Sequence, residues 1–107
     1  MPFVEISVNI PLPPAEEKVL KTELGSLIAL IPGKSEDYLM IKFNAESKMW
    51  MKGTDEPCAM VDVMVYGAVS SDIKSMFTEK VMSLMTRVLD IERPRMFLKF
   101  NEVSDWF

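Results

Sequence analysis

The residue with the clearest chemical potential stands second in the chain. Pro2 follows Met1 directly. An internal proline has a tertiary amide nitrogen and no basicity. If Met1 is removed, the same nitrogen becomes a secondary amine. An ordinary α-amino group has a pKa of about 7.7–8.0, and a secondary amine is intrinsically more basic. Apolar surroundings and a nearby cation both disfavour the charged form, so such an amine can stand neutral near working pH, where a general base is most effective. Proline at this position also simply marks efficient removal of methionine, so Pro2 alone does not define an enzyme.

Few other chemistries compete with it. The chain has no histidine and one cysteine, Cys58. A zinc site of the usual His/Cys kind is excluded, as is a Ser-His or Cys-His nucleophile pair, and no internal disulfide can form. Cys58 reads as a buried strand residue and the 10 methionines as core filler.

The elements that must position Pro2 follow from periodicity. Val4, Ile6, Val8 and Ile10 alternate with polar residues, which predicts a half-buried strand. Pro11, Pro13 and Pro14 end it, and Pro14 suits a helix's first turn. Leu20, Leu24, Leu27, Ile28 and Ile31 recur at helical spacing up to Pro32-Gly33, with Gly25 costing that helix about 1 kcal/mol relative to alanine. Residues 38–43 predict a second strand and residues 46–51 a short third. After a loop at 53–57, the apolar run Cys58 to Tyr66 predicts a buried strand. Ile73, Phe77, Val81, Leu84, Val88 and their neighbours mark an amphipathic helix with Ser70 or Ser71 as N-cap, and Met96 to Asn101 is the last strand.

The result is strand–helix–strand twice, an α/β (α+β) architecture over residues 1–107 as one domain. Two such pseudo-repeats give a four-stranded sheet with both helices on one face. The residues leave two arrangements open, a ferredoxin-like monomer or a layer covered by other subunits. The strands are apolar on both faces, as in Val61, Val63 and Val65 against Met60, Met64 and Tyr66. Helices on one side cannot bury both, which favours association.

Charge limits the partners. The net charge is −4, from 12 basic and 16 acidic residues, without the basic patch expected of a nucleic-acid binder. No run of about 18 apolar residues is present to cross a membrane, and no basic amphipathic helix suggests a membrane surface. The N-terminus reads as lacking a signal peptide, so the cytoplasm is the expected compartment.

In order and spacing, several motifs together resemble the macrophage migration inhibitory factor branch of the tautomerase superfamily. They are Met1-Pro2 opening a strand, Gly33-Lys34 followed by Tyr38 and Met40, Asp55-Glu56-Pro57-Cys58-Ala59, Gly67, Arg93 and Arg95 around Pro94, and Met96-Phe97-Leu98. The resemblance covers about residues 1–101. It implies a tautomerase fold with a mixed sheet and a homotrimer with active sites at subunit boundaries. It also implies cofactor-free keto–enol isomerisation of phenylpyruvate-like α-keto acids, with dopachrome-like compounds a second substrate class.

Residue by residue, the resemblance makes Pro2 the base and Lys34 the group that grips the substrate carboxylate and helps keep Pro2 neutral. A solvated lysine at a helix C-terminus fits Lys34 equally. Tyr66 matches a common isoleucine whose backbone N–H binds substrate. Phe97 stands where tyrosine is common, so a pocket hydroxyl is absent. Lys99 replaces a common asparagine and could pair with a second acidic group. The chain ends at Asp105-Trp106-Phe107, where relatives usually run on; Trp106 and Phe107 are expected to help wall the pocket. Cys58 is alone where mammalian members carry Cys-X-X-Cys, so no dithiol chemistry is available.

Three readings follow. The first is a phenylpyruvate-type tautomerase. The second is an isomerase of a dicarboxylated, muconate-type substrate, favoured by Lys99. The third is a non-catalytic interaction protein with an unidentified protein partner, for which the resemblance would imply non-classical secretion. An RNA-binding or regulatory ferredoxin-like domain is more distant, since no aromatic RNA-binding signature is present.

Overall fold

The computed structural model describes residues 1–107. Its elements run β1 (Pro2–Val8), α1 (Pro14–Leu27), β2 (Met40–Asn44), β3 (Ala59–Tyr66), α2 (Ser71–Leu89) and β4 (Met96–Val103). Short 3₁₀ turns at Ile28–Leu30, Glu36–Tyr38 and Arg93–Arg95 join them. The sheet order is β2-β1-β3-β4. β1 pairs with β2 in parallel, β3 with β4 in parallel, and β1 with β3 antiparallel. Each half is therefore a parallel strand pair bridged by a helix, and the halves join through their first strands.

Alternation decides the two faces. Val4, Ile6 and Val8 in β1, and Val61, Val63 and Val65 in β3, are buried in one core with Leu20, Leu24, Phe77, Val81 and Met85 of the helices. α1 starts with Pro14 at its first turn and has no side-chain cap. α2 starts on Ser70, whose Oγ accepts the Ile73 N–H at 3.3 Å, and ends with Asp90 in the left-handed region. Gly25 packs beneath the Glu36 carboxylate, the end of a flexible side chain that pairs with Lys21 at 3.4 Å.

The opposite face carries no helix. The registers place three rows across it: Met40–Phe3–Met64–Asn101, Lys42–Glu5–Asp62–Lys99 and Asn44–Ser7–Met60–Phe97. The middle row is charged, with Lys42 3.8 Å from Glu5 and Lys99 3.4 Å from Asp62. Met40 and Phe97, in the outer rows, are exposed large apolar side chains.

Three expectations need correction. Residues 46–51 do not form a strand. The chain turns at Glu46, with φ 54°, and Met51 pairs only with Thr54 across Lys52 and Gly53. The carbonyls of Met51, Thr54, Glu56 and Pro57 are collected by the Arg95 guanidinium instead of by a neighbouring strand. Tyr38 belongs to a 3₁₀ turn, so the second strand begins at Met40. β1 ends at Val8 rather than Ile10. Asn9 leaves the ladder to accept the Cys58 N–H at 2.9 Å and to donate to the carbonyls of Asp55 and Glu56, each at 3.0 Å.

Candidate active site

Pro2 opens β1, buried and in register with Val65. Its nitrogen is bonded to the Met1 carbonyl, which accepts the Tyr66 N–H at 3.3 Å. The Pro2 nitrogen is thus one covalent bond from an atom gripped by the last residue of β3. Lys34 reaches the same place from the first helical segment. The turn after that segment uses Gly33 at φ 79°, and the Lys34 N–H bonds the Ile31 carbonyl at 3.1 Å. The Lys34 ammonium then donates to the Tyr66 carbonyl at 2.8 Å and lies 5.9 Å from the centroid of the Tyr66 ring.

The electrostatics act on the N-terminus. Partial withdrawal from water, and then the charge and hydrogen bonding of Lys34, hold the Met1 amine below its ordinary range. Both causes disfavour an ammonium. Lys34 itself pairs with no carboxylate; the lysine ion pairs of the molecule belong to Lys21, Lys42, Lys74 and Lys99. An anion arriving here meets an ammonium not engaged in an ion pair.

Beside these groups lies an open cleft of about 410 Å³, lined by Met1, Tyr66, Ser104, Asp105, Trp106 and Phe107. The structure therefore brings together Pro2, Lys34, Tyr66 and Trp106. Phe107 lines the cleft beside Trp106, as the resemblance implies; Ser104 and Asp105 also line it, and no sequence signal beyond their nearness to Trp106 marks them. A cleft at the other end of β3, about 220 Å³, is lined by Glu56, Pro57, Asp90, Glu92 and Arg95. Its only cation is the arginine committed to loop carbonyls. No group of three or more His, Cys, Asp or Glu residues is placed to hold a metal ion.

Phe97 and Lys99 lie elsewhere. Phe97 is opposite Met60 and Lys99 opposite Asp62, on the helix-free face. Pro2 is opposite Val65, so at 3.3 Å per residue Phe97 sits roughly 17 Å away along the strand direction. Within one chain neither side chain joins the Pro2 cluster.

Two parallel β–α–β units joined antiparallel through their first strands, with Pro2 at the start of the first, have the fold of the tautomerase superfamily. The chain matches the family Macrophage migration inhibitory factor (MIF) over residues 1–107, and it belongs to that family. It is 28% identical over 104 residues to a macrophage migration inhibitory factor homolog of Brugia malayi, covering 97% of this chain and 90% of the relative. It is 28% identical over 110 residues to the D-dopachrome decarboxylase of Gallus gallus, covering 99% and 90%. Among solved structures, Leishmania major MIF2 superimposes with a TM-score of 0.90 at 23% identity, over 99% of this chain and 93% of that one. A homologue from Prochlorococcus marinus gives 0.81 at 24% identity, over 95% and 89%. These two structural likenesses speak to the fold.

Proposed function

We propose that the chain, once Met1 is removed, is a cofactor-independent keto–enol tautomerase of phenylpyruvate-like α-keto acids, with dopachrome-like compounds a second class, and that Pro2 is its general base. The observation that carries this reading is the seating of the N-terminus. Met1 presents a carbonyl to the Tyr66 N–H and an amine whose ammonium form is disfavoured by partial withdrawal from water and then by Lys34. Removing Met1 frees that N–H and creates the Pro2 amine in one event.

The chemistry follows from these groups. Lys34 binds the substrate carboxylate, and the released Tyr66 N–H donates to a substrate oxygen. The neutral Pro2 amine takes a proton from the carbon next to the keto group. The C–H electron pair moves toward the carbonyl, the oxygen takes a proton from water to give the enol, and the Pro2 ammonium gives its proton back to that water. The reverse step returns the proton from the Pro2 ammonium to carbon.

Assembly belongs to the same proposal. The apolar rows on the helix-free face favour a homotrimer, in which Phe97 and Lys99 of one copy would approach the Pro2 cluster of another. Lys99 is already paired with Asp62, which gives a second-carboxylate role less support than the phenylpyruvate reading. The reaction takes place in the cytoplasm under this proposal.

The test pairs mass spectrometry of the mature N-terminus with a phenylpyruvate turnover assay. A chain beginning at Pro2 should turn over. One that retains Met1 should lose the contribution of the base, about 10²–10⁴-fold. Equal turnover by an N-terminally extended chain would refute the mechanism. Sedimentation equilibrium should report three chain masses; a monomer at micromolar concentration sinks the shared site.

A further inference from the structure

Lys34 carries the charge that the site uses, yet it ends a long flexible stem, and something must hold that charge over the N-terminus. A carboxylate would hold it firmly but would also cancel it, weakening both the grip on an anionic substrate and the effect on the amine. The structure uses neutral acceptors instead. The ammonium donates to the Tyr66 carbonyl at 2.8 Å and lies 5.9 Å from the Tyr66 ring centroid. A ring face attracts a cation through its quadrupole and leaves the net charge intact.

We infer that Tyr66 is a positioning residue for Lys34, holding the ammonium by its ring as well as by its carbonyl without neutralising it. Any residue at position 66 could offer the carbonyl. The ring belongs to the side chain, so an aliphatic residue there would leave Lys34 with one tether instead of two. The ring matters most when substrate arrives, because a carboxylate draws the ammonium off the Tyr66 carbonyl. The ring face then still confines Lys34 beside the cleft, which Tyr66 lines together with Trp106 and Phe107. The phenol oxygen has no part in this role.

The inference rests on the tautomerase reading of the same site, and its test has one arm that needs no turnover. Chains beginning at Pro2 are prepared as wild type, Tyr66→Phe, Tyr66→Leu and Tyr66→Met. Tyr66 is half exposed at the end of β3, and two unlike aliphatic replacements guard against a local packing fault in either. The first arm measures KM and kcat for phenylpyruvate. Tyr66→Phe keeps the ring and is the reference against which the loss of the ring is read. Both aliphatic variants should raise KM about two- to fivefold, the range of an exposed cation–π contact, with a smaller change in kcat. The second arm follows alkylation of Pro2 by an α-bromo ketone against pH. The free amine displaces bromide and forms an N–C bond, so the rate reports the neutral fraction without any isomerisation. The midpoint should move to higher pH in Tyr66→Leu and Tyr66→Met and stay in place in Tyr66→Phe. Aliphatic and Phe variants with the same alkylation midpoint overturn the positioning role, whatever the turnover. A shifted midpoint in a protein whose wild type leaves phenylpyruvate unchanged keeps this role and overturns the proposed reaction.

Discussion

Two lysines in this molecule rest on aromatic rings in nearly the same way, and they do opposite jobs. Lys34 lies 5.9 Å from the Tyr66 ring centroid and Lys74 lies 5.8 Å from that of Phe100. Lys74 also meets Glu102 at 3.1 Å. Glu102 in turn accepts the Val69 N–H at 2.7 Å, and Phe100 packs edge-on against the buried Phe77 at 5.9 Å. That corner ties the start of α2 to β4, with every charge matched. The Lys34 corner lacks the carboxylate and opens on a cleft. The difference teaches that the ring contact itself is neutral as to purpose; the presence or absence of one acid turns a fastener into a working charge.

The strongest test of the Lys74 corner removes its foundation. Phe77 is fully buried, and Phe77→Ala should destabilise the fold by about 3–5 kcal/mol, read by urea denaturation. The folded fraction should keep its turnover. Next comes the working charge. Lys34→Ala should cost at least about 2 kcal/mol in kcat/KM, the lower end for a lost ionic contact, or roughly 30-fold. It should also move the acid limb of the pH profile upward, because the Pro2 ammonium loses a repelling neighbour. Lys74→Ala should leave kcat/KM within about twofold, since exposed ion pairs contribute about 0–1 kcal/mol to stability and none of this charge faces the cleft. Comparable losses from both alanine variants would break the comparison.

The smallest effect concerns Glu102. The Val69 N–H, and then Lys74, hold its carboxyl below the usual carboxylate range. A carboxylate whose pKa falls on folding adds stability above its unfolded pKa and loses it as pH drops through the folded value. Glu102→Gln should therefore lower the melting temperature slightly at neutral pH. The gap should close in acid below the folded pKa. A gap that persisted there would mean that the carboxylate's charge is not what stabilises the corner.

Much of this was legible because local pattern and global fold agree. The alternation of Val4, Ile6 and Val8, the helical phase from Phe77 to Met85, and Pro14 at a helix start all depend on near neighbours. The segment 46–51 was misleading because its apolar run Met49, Trp50 and Met51 meets an outside claim on the backbone. Arg95, forty-four positions beyond Met51, takes the Met51 carbonyl, which a strand would have used. Tyr38 was drawn into the second strand by its type, yet the turn Glu36–Tyr38 has its own hydrogen bonds, including Leu39 N–H to the Glu36 carbonyl at 3.1 Å. In the site, Pro2 and Lys34 were visible as types in a familiar order. The separation of Phe97 and Lys99 from them was not, because it follows from the β3–β4 register, which no short stretch encodes. The second role of Tyr66 was hidden for a related reason: it appears only when a lysine from the other half of the chain lands on the ring.

The charged row on the helix-free face has a consequence for the proposed assembly. Lys42, Glu5, Asp62 and Lys99 run plus, minus, minus, plus, so the row sums to zero and holds none of the chain's −4 excess. The surface is electrically quiet where another copy would touch it and repulsive elsewhere. Approach through the wrong side is discouraged at a distance, and approach through this one is neither hurried nor hindered. Such a face should recognise its own kind by fit and water exclusion, with little regard for the salt around it.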